Sequence, residues 1–208
     1  MAIVAPPPPD RAVDPLIYLL PPCALQRLYD PAKHGATATG FRNIGPFARF
    51  DHHIDRGDAL RLTPQARGIL YAARELTCAI AEVFGSAGGG DAGTYRYCAF
   101  ALQRDLRLLD LRGNGALLAG TIGAVSSQSY ADGQSWSRWF YETTSVYGRL
   151  DGIVYPGAHN YGDAFALYER AGTSIAPVPI WDYELREPVR RATVLPALHA
   201  VGLSIRLR

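Results

Sequence analysis

The chain is nearly devoid of lysine: Lys33 is the only one, and the rest of its 21 basic residues are arginine. Against 19 acidic residues this leaves a net charge of +2, too balanced to form the electrostatic footprint of a nucleic-acid-binding surface. A biased base composition of the gene accounts for the arginine excess as simply as a demand for guanidinium forks does. Charged residues reach only 19%, below the roughly 25% usual for soluble domains, which excludes a long solvated tail or an extended coiled coil. Cysteine is scarce and odd in number, with Cys23, Cys78 and Cys98 at no framework spacing, so the expectation is a reduced, cytoplasmic protein without disulfides. No basic segment followed by an apolar core opens the chain, and no secretory leader is expected. The most apolar early stretch, Leu16 to Leu25, is interrupted by Pro21 and Pro22. It falls far short of the about 20 residues that span a membrane.

What is present is the material for one domain. The 208 residues are 48% hydrophobic, enough for a sizeable core. Pro6 to Pro9 mark residues 1–15 as a flexible, extended arm, and 16–208 as the domain proper. Strand-like pieces are read at Leu25–Tyr29, Phe47–Phe50, Gly68–Ala73, Tyr95–Leu102, Leu106–Leu111, Gly152–Tyr155, Ala164–Tyr168, Ser174–Ile180 and Leu203–Leu207. Leu76, Ala79, Ile80 and Val83 recur at helical spacing, with Gly85 placed to end that helix in the left-handed conformation. Ser86–Gly93 reads as a flexible loop, Asn114–Val125 and Ser135–Tyr147 as helices, and a last helix is weakened by Pro196. Many short strands with a few helices between them predict an α+β fold rather than regular βαβ units.

Two motifs carry chemistry on their face. Gly88-Gly89-Gly90-Asp91-Ala92-Gly93 spells the dinucleotide fingerprint, but a helix enters this loop and a strand leaves it. A pyrophosphate would find no helix N-terminus there. Asp51-His52-His53, with Asp55, Asp58 and His159, offers oxygen and imidazole ligands for a metal-dependent phosphoesterase. Adjacent histidines on a strand point to opposite faces, and the further Asp-containing motifs of a two-metal centre are missing. A hydrogen-bonded surface feature is the plainer reading, and the hydrolase remains the alternative.

Three stretches taken together resemble the RES-domain family. They are Arg27-Leu28-Tyr29-Asp30 with Phe41-Arg42-Asn43-Ile44-Gly45-Pro46-Phe47-Ala48-Arg49-Phe50; Gly68-Ile69-Leu70-Tyr71-Ala72-Ala73 running on through Cys78-Ala79-Ile80-Ala81-Glu82-Val83-Phe84-Gly85; and Leu150-Asp151-Gly152-Ile153-Val154-Tyr155-Pro156 followed by His159-Asn160 and Ala166-Leu167-Tyr168-Glu169. The resemblance implies a single-domain, split mixed sheet of the ADP-ribosyltransferase type with surrounding helices. It implies the toxin of a toxin–antitoxin pair, one that cleaves the nicotinamide–ribose bond of NAD by hydrolysis, phosphorolysis or ADP-ribosyl transfer. NAD is then the substrate and no cofactor or metal is required. The partner is a cognate antitoxin of helix-turn-helix type, and no direct contact with nucleic acid or membrane is expected. By the same resemblance Glu82, Tyr71 and Arg49 match the catalytic positions, Arg27 a substrate-binding Arg on the first strand, and Gly157 stands where the family has its Ser. His159, beside that position, is a candidate for shaping the pocket. A catalytically silent RES-fold binding protein is the other alternative.

Physical chemistry alone would not have selected these residues. On a helical wheel Glu82 falls with Glu75, away from Leu76, Ile80 and Val83, where solvated carboxylates sit. A Tyr in a strand is more often core than ligand, and Arg27 and Arg49 read as ordinary surface charges.

Overall fold

The computed structural model describes residues 4–8, 13–127 and 129–207. In chain order the strands and helices are β1 (Ile17–Leu20), β2 (Ala24–Tyr29), β3 (Ile69–Ala73), α1 (Leu76–Phe84), β4 (Gly89–Asp91), β5 (Arg96–Ala101), β6 (Leu106–Asp110), α2 (Gly115–Leu118), α3 (Tyr130–Glu142), α4 (Thr144–Tyr147), β7 (Gly152–Pro156), β8 (Asp163–Tyr168), β9 (Trp181–Glu184), α5 (Arg191–Ala200) and β10 (Ser204–Arg206). Eight strands form one mixed sheet in the order β1-β6-β7-β8-β3-β2-β5-β9. Neighbours run antiparallel except β6 and β7. The α+β expectation holds.

The two-residue period of the central strands decides what each face carries. Ile69 and Ala73 of β3, Ile153 and Tyr155 of β7, and Ala164, Ala166 and Tyr168 of β8 pack with Ile80 and Phe84 of α1 and with Trp136 and Phe140 of α3. Leu70, Ala72, Val154, Phe165 and Leu167 turn the other way, onto Leu25, Phe100 and Ile175. Tyr71 shares the parity of Ile69 and Ala73, so its ring lies on the helix-bearing side.

The sheet is split at its middle. β2 pairs with β5 over six positions and β3 with β8 over five, but β2 and β3 meet at Gln26 and Ala73 alone. Past that point the two strands diverge, and the space between them opens toward α1.

Several local expectations are corrected. Phe47–Phe50 is a turn, because the Asp51 carboxylate captures the amides of Phe47 (2.6 Å) and Ala48 (3.0 Å) and withdraws them from any ladder. Ser174–Ile180 contributes only an isolated bridge from Ile175 to Leu102, with the strand beginning at Trp181. Pro177 and Pro179 have no N–H to offer a sheet. Ser86–Gly93 is not a plain loop: after one helical turn its glycines form β4, which pairs in parallel with β10. Gly85 is right-handed (φ −62°), and the left-handed residue is Gly88 (φ 67°). The helix read over Asn114–Val125 is α2 plus a separate turn at Gly123–Ser126, with Gly120 (φ 94°) between them. The helix read over Ser135–Tyr147 begins earlier, with Ser129 as its cap, and breaks at Thr143 into α3 and α4. β1 went unread because its apolar residues precede a Pro pair.

Of the arm at 1–15, residues 1–3 and 9–12 lie outside the described residues. The Val4 carbonyl accepts a hydrogen bond from the Trp136 indole (2.9 Å).

A pH dependence of stability is built into the core. His52 and His53 are fully buried, and burial lowers both, His53 to about 4. Glu169 accepts from His52 Nε2 (3.0 Å), the Tyr141 hydroxyl (2.6 Å) and the Gly68 N–H (3.1 Å); burial works against its charge, but these bonds hold it down at about 2. All three are depressed groups, so their contribution is present above the unfolded-state values and is lost as pH falls through the folded ones. Unfolding free energy from urea titration should therefore start to drop as pH goes below about 6.5, where unfolded histidine takes up a proton, and keep dropping below about 4.5 as unfolded Glu does. A flat profile from neutral pH down to about 4 would show that these groups titrate alike in both states.

Candidate active site

A cavity of about 490 Å³ occupies the split between β2 and β3. Gln26, Arg27 and Leu28 line it from β2, Tyr71 to Ala73 from β3 and Glu82 from α1, with Arg49, Tyr155 and His159 closing it. All five residues singled out from the sequence, Arg27, Arg49, Tyr71, Glu82 and His159, are brought together there.

Arg27 fills the gap that the diverging strands leave. It is 8% exposed, and its Nη1 donates to the Tyr71 carbonyl (2.9 Å), replacing a ladder bond that β2 can no longer supply. Its buried Nε has no partner, and no carboxylate pairs with it among the described residues. Burial pulls its pKa down to about 10, which still leaves it cationic at neutral pH. Arg49 sits at the centre of the Phe47–Phe50 turn, its guanidinium 4.7 Å from the Tyr130 ring centroid.

Glu82 does not face bulk solvent as the helical wheel implied. The loop after β7 folds over that side of α1, and the carboxylate accepts from the Ala158 N–H (2.8 Å) and the Tyr155 hydroxyl (3.1 Å). Burial and the neighbouring Glu82 charge raise Tyr155 well above 10, so it stays protonated and donates. Tyr155 is the site residue that sequence reading missed, taken only as part of a strand. Its parity with Ile153, across from α1, was the available signal.

The same loop presents His159, which packs on Gly85. A Cβ on Gly85 would lie 2.4 Å from His159 Cγ, so the residue expected to end the helix is glycine to admit this ring. Gly157 is less tightly set: a Cβ there would stand 3.1 Å from Cys78 Sγ, 3.2 Å from Asn160 Oδ1 and 3.3 Å from Glu82 Oε1.

The Asp51-His52-His53 cluster lies beside the cavity, not in it, and is buried rather than the surface feature expected of a His pair in a loop. Asp51 is fully buried and accepts from Arg42, Phe47, Ala48 and Tyr71. His52 donates to Glu169, and His53 to the Arg42 carbonyl (3.2 Å). Asp58 is exposed and paired with Arg61 (2.7 Å), while His159 is in the cavity. Among the described residues no group of three or more His, Cys, Asp or Glu is placed to hold a metal ion, so the ligand set imagined for a phosphoesterase is dispersed. Among the described residues no helix is long and apolar enough to cross a membrane.

A cleft at the split of a mixed sheet, lined by two arginines and a braced carboxylate, defines an α+β domain whose site carries both signs of charge. The RES domain matches residues 24–186, and the chain belongs to that family. The fold is similar to that of a chain in the crystal structure of the M. tuberculosis MbcT–MbcA toxin–antitoxin complex, with a TM-score of 0.53 at 14% identity over 90% of this chain and 91% of that one. No curated protein matches the sequence.

Proposed function

We propose that this RES-domain protein is the toxin of a toxin–antitoxin pair and acts in the cytoplasm by breaking the nicotinamide–ribose bond of NAD. The observation that carries the reading is the convergence of Arg27, Arg49, Tyr71, Glu82 and His159, from separate parts of the chain, on one cavity. Guanidinium groups suit the diphosphate, a carboxylate the ribose hydroxyls, and an aromatic face the cationic nicotinamide. When the bond breaks its electron pair leaves with nicotinamide, which departs neutral and needs no strong acid. Positive charge grows at the anomeric carbon, and the Glu82 carboxylate stabilises it more in the transition state than in the ground state. Water, phosphate or a protein side chain then adds at that carbon and gives up its proton.

The test is mass spectrometry of purified protein with NAD, with and without phosphate and with and without a chelator. Nicotinamide release that survives the chelator is expected; loss in chelator would restore the metallohydrolase. Expression alone should deplete NAD and arrest growth, and co-expression of the adjacent reading frame should restore it with a co-purifying complex. Protein that leaves NAD untouched in every arm is a silent RES-fold module.

Gly157 bears on that alternative. Its backbone is not left-handed, so Ser is admissible if Cys78 Sγ, Asn160 Oδ1 and Glu82 Oε1 give way by a few tenths of an ångström. One neutral hydrogen bond contributes about 0.5–1.5 kcal/mol, so Gly157→Ser should change NAD turnover by about tenfold or less. His159→Ala should be the more damaging change. An inert parent strongly revived by Gly157→Ser would show the missing hydroxyl to be essential.

A further inference from the structure

The Asp51 carboxylate touches no part of the cavity, yet its bonds end on two residues that do. Its Oδ2 accepts the N–H groups of Phe47 and Ala48, the two residues before Arg49. Its Oδ1 accepts the Tyr71 hydroxyl (2.9 Å), and that same hydroxyl accepts the N–H of Phe50, the residue after Arg49 (3.0 Å). The N–H groups of Phe47, Ala48 and Phe50, on both sides of Arg49, are thus held by Asp51 or by the Tyr71 hydroxyl that Asp51 orients. Arg42 anchors the carboxylate in turn, with Nη2 at 2.8 and 2.7 Å from its two oxygens while Nη1 donates to the Ile44 carbonyl. The packing leaves no slack: a Cβ on Gly45 would lie 2.8 Å from Arg42 Nη1 and 3.1 Å from Asp51 Oδ2.

We propose that Asp51, locked by Arg42, is the positioning residue that sets Arg49 and Tyr71 together for substrate. The inference rests on the NAD reading for the identity of that substrate, and on the hydrogen bonds alone for the positioning. A buried carboxylate with its lone pairs filled by fixed donors has one low-energy arrangement, so the turn bearing Arg49 and the Tyr71 ring cannot shift independently. Asn in its place would lose the charge facing Arg42 and present an NH2 to at least one donor. Glu82 is held separately, by Tyr155 and Ala158. Loss of Asp51 should therefore impair binding more than the chemical step.

The experiment compares the parent with Asp51→Asn and, as a milder change that keeps the ring, Tyr71→Phe. Amide hydrogen exchange read by NMR without substrate should show Phe47, Ala48 and Phe50 exchanging about tenfold or more faster in Asp51→Asn, with core amides such as Leu70 and Phe165 changed less; in Tyr71→Phe the increase should centre on Phe50. With NAD, KM should rise by about tenfold or more in Asp51→Asn while kcat falls by less. Uniform acceleration of all amides with KM unchanged would overturn the proposal and leave Asp51 a general stabiliser. Selective acceleration in a protein whose parent does not consume NAD would overturn the NAD reading and uphold the positioning. If Asp51→Asn does not fold, Tyr71→Phe decides: undisturbed protection of Phe50 overturns the proposal.

Discussion

Glu82→Gln is expected to lower kcat for NAD consumption by about 10²–10³ while leaving KM within a few-fold and the fold intact. Gln keeps the length of the side chain and an oxygen for the Ala158 N–H or the Tyr155 hydroxyl, so the loop after β7 retains one of its two anchors on α1. In the proposed mechanism, what it removes is the negative charge that meets developing positive charge at the anomeric carbon. In the same mechanism Gln can still hydrogen-bond a ribose hydroxyl in the ground state, and for that reason the effect is expected to fall on kcat. Steady-state kinetics at saturating and limiting NAD, together with a thermal melt, separate these effects. Parent-like kcat in a folded variant would remove Glu82 from the mechanism.

Arg27→Leu is expected to weaken NAD binding by about 10–100-fold without lowering thermal stability. A guanidinium buried in the sheet split without a carboxylate is a cost to the folded state, which its depressed pKa of about 10 registers. Leu removes that cost and fills much of the space, at the loss of the hydrogen bond to the Tyr71 carbonyl. If Arg27 meets the diphosphate as proposed, stability and function oppose each other here, as they do where a site is held in a strained or uncompensated state for its ligand. Calorimetric titration with NAD and thermal melts of both proteins give the two readouts. Unchanged affinity would show that the Arg27 charge does not meet the diphosphate, and a steep fall in melting temperature would make Arg27 a structural bridge between the sheet halves.

The Asp51 cluster shows why local motifs misled in one direction and Glu82 why they misled in the other. Asp, His and His in succession are metal-ligand residue types, and nothing nearby in the chain reveals that Arg42, Tyr71 and Glu169 hydrogen-bond to them. Glu82 lay on the polar side of its helix, and only the return of the chain after β7, 76 residues away at Ala158, covers that side. Likewise Gly88 to Gly93 read as a loop because its ladder partner, β10, lies at the far end of the sequence.

The sequence by itself determined the class of the protein. The apolar runs of β3, β7 and β8, the alternation over β5 and the helical spacing of α1 are set by which side chains must leave water, and that information is local. The likeness to the RES family, carried by Arg49, Tyr71, Glu82 and the strand ending at Tyr155, was legible for the same reason. Only the tertiary structure decided that β2 and β3 part after a single residue pair, that Arg27 enters the gap, and that Tyr155 and Ala158 hold Glu82. Each of those facts is a balance between strand pairing, burial of charge and hydrogen bonding among groups far apart in the chain. Such a balance is struck only when the whole sheet is assembled, because the low-dielectric interior that gives those interactions their strength does not exist before then.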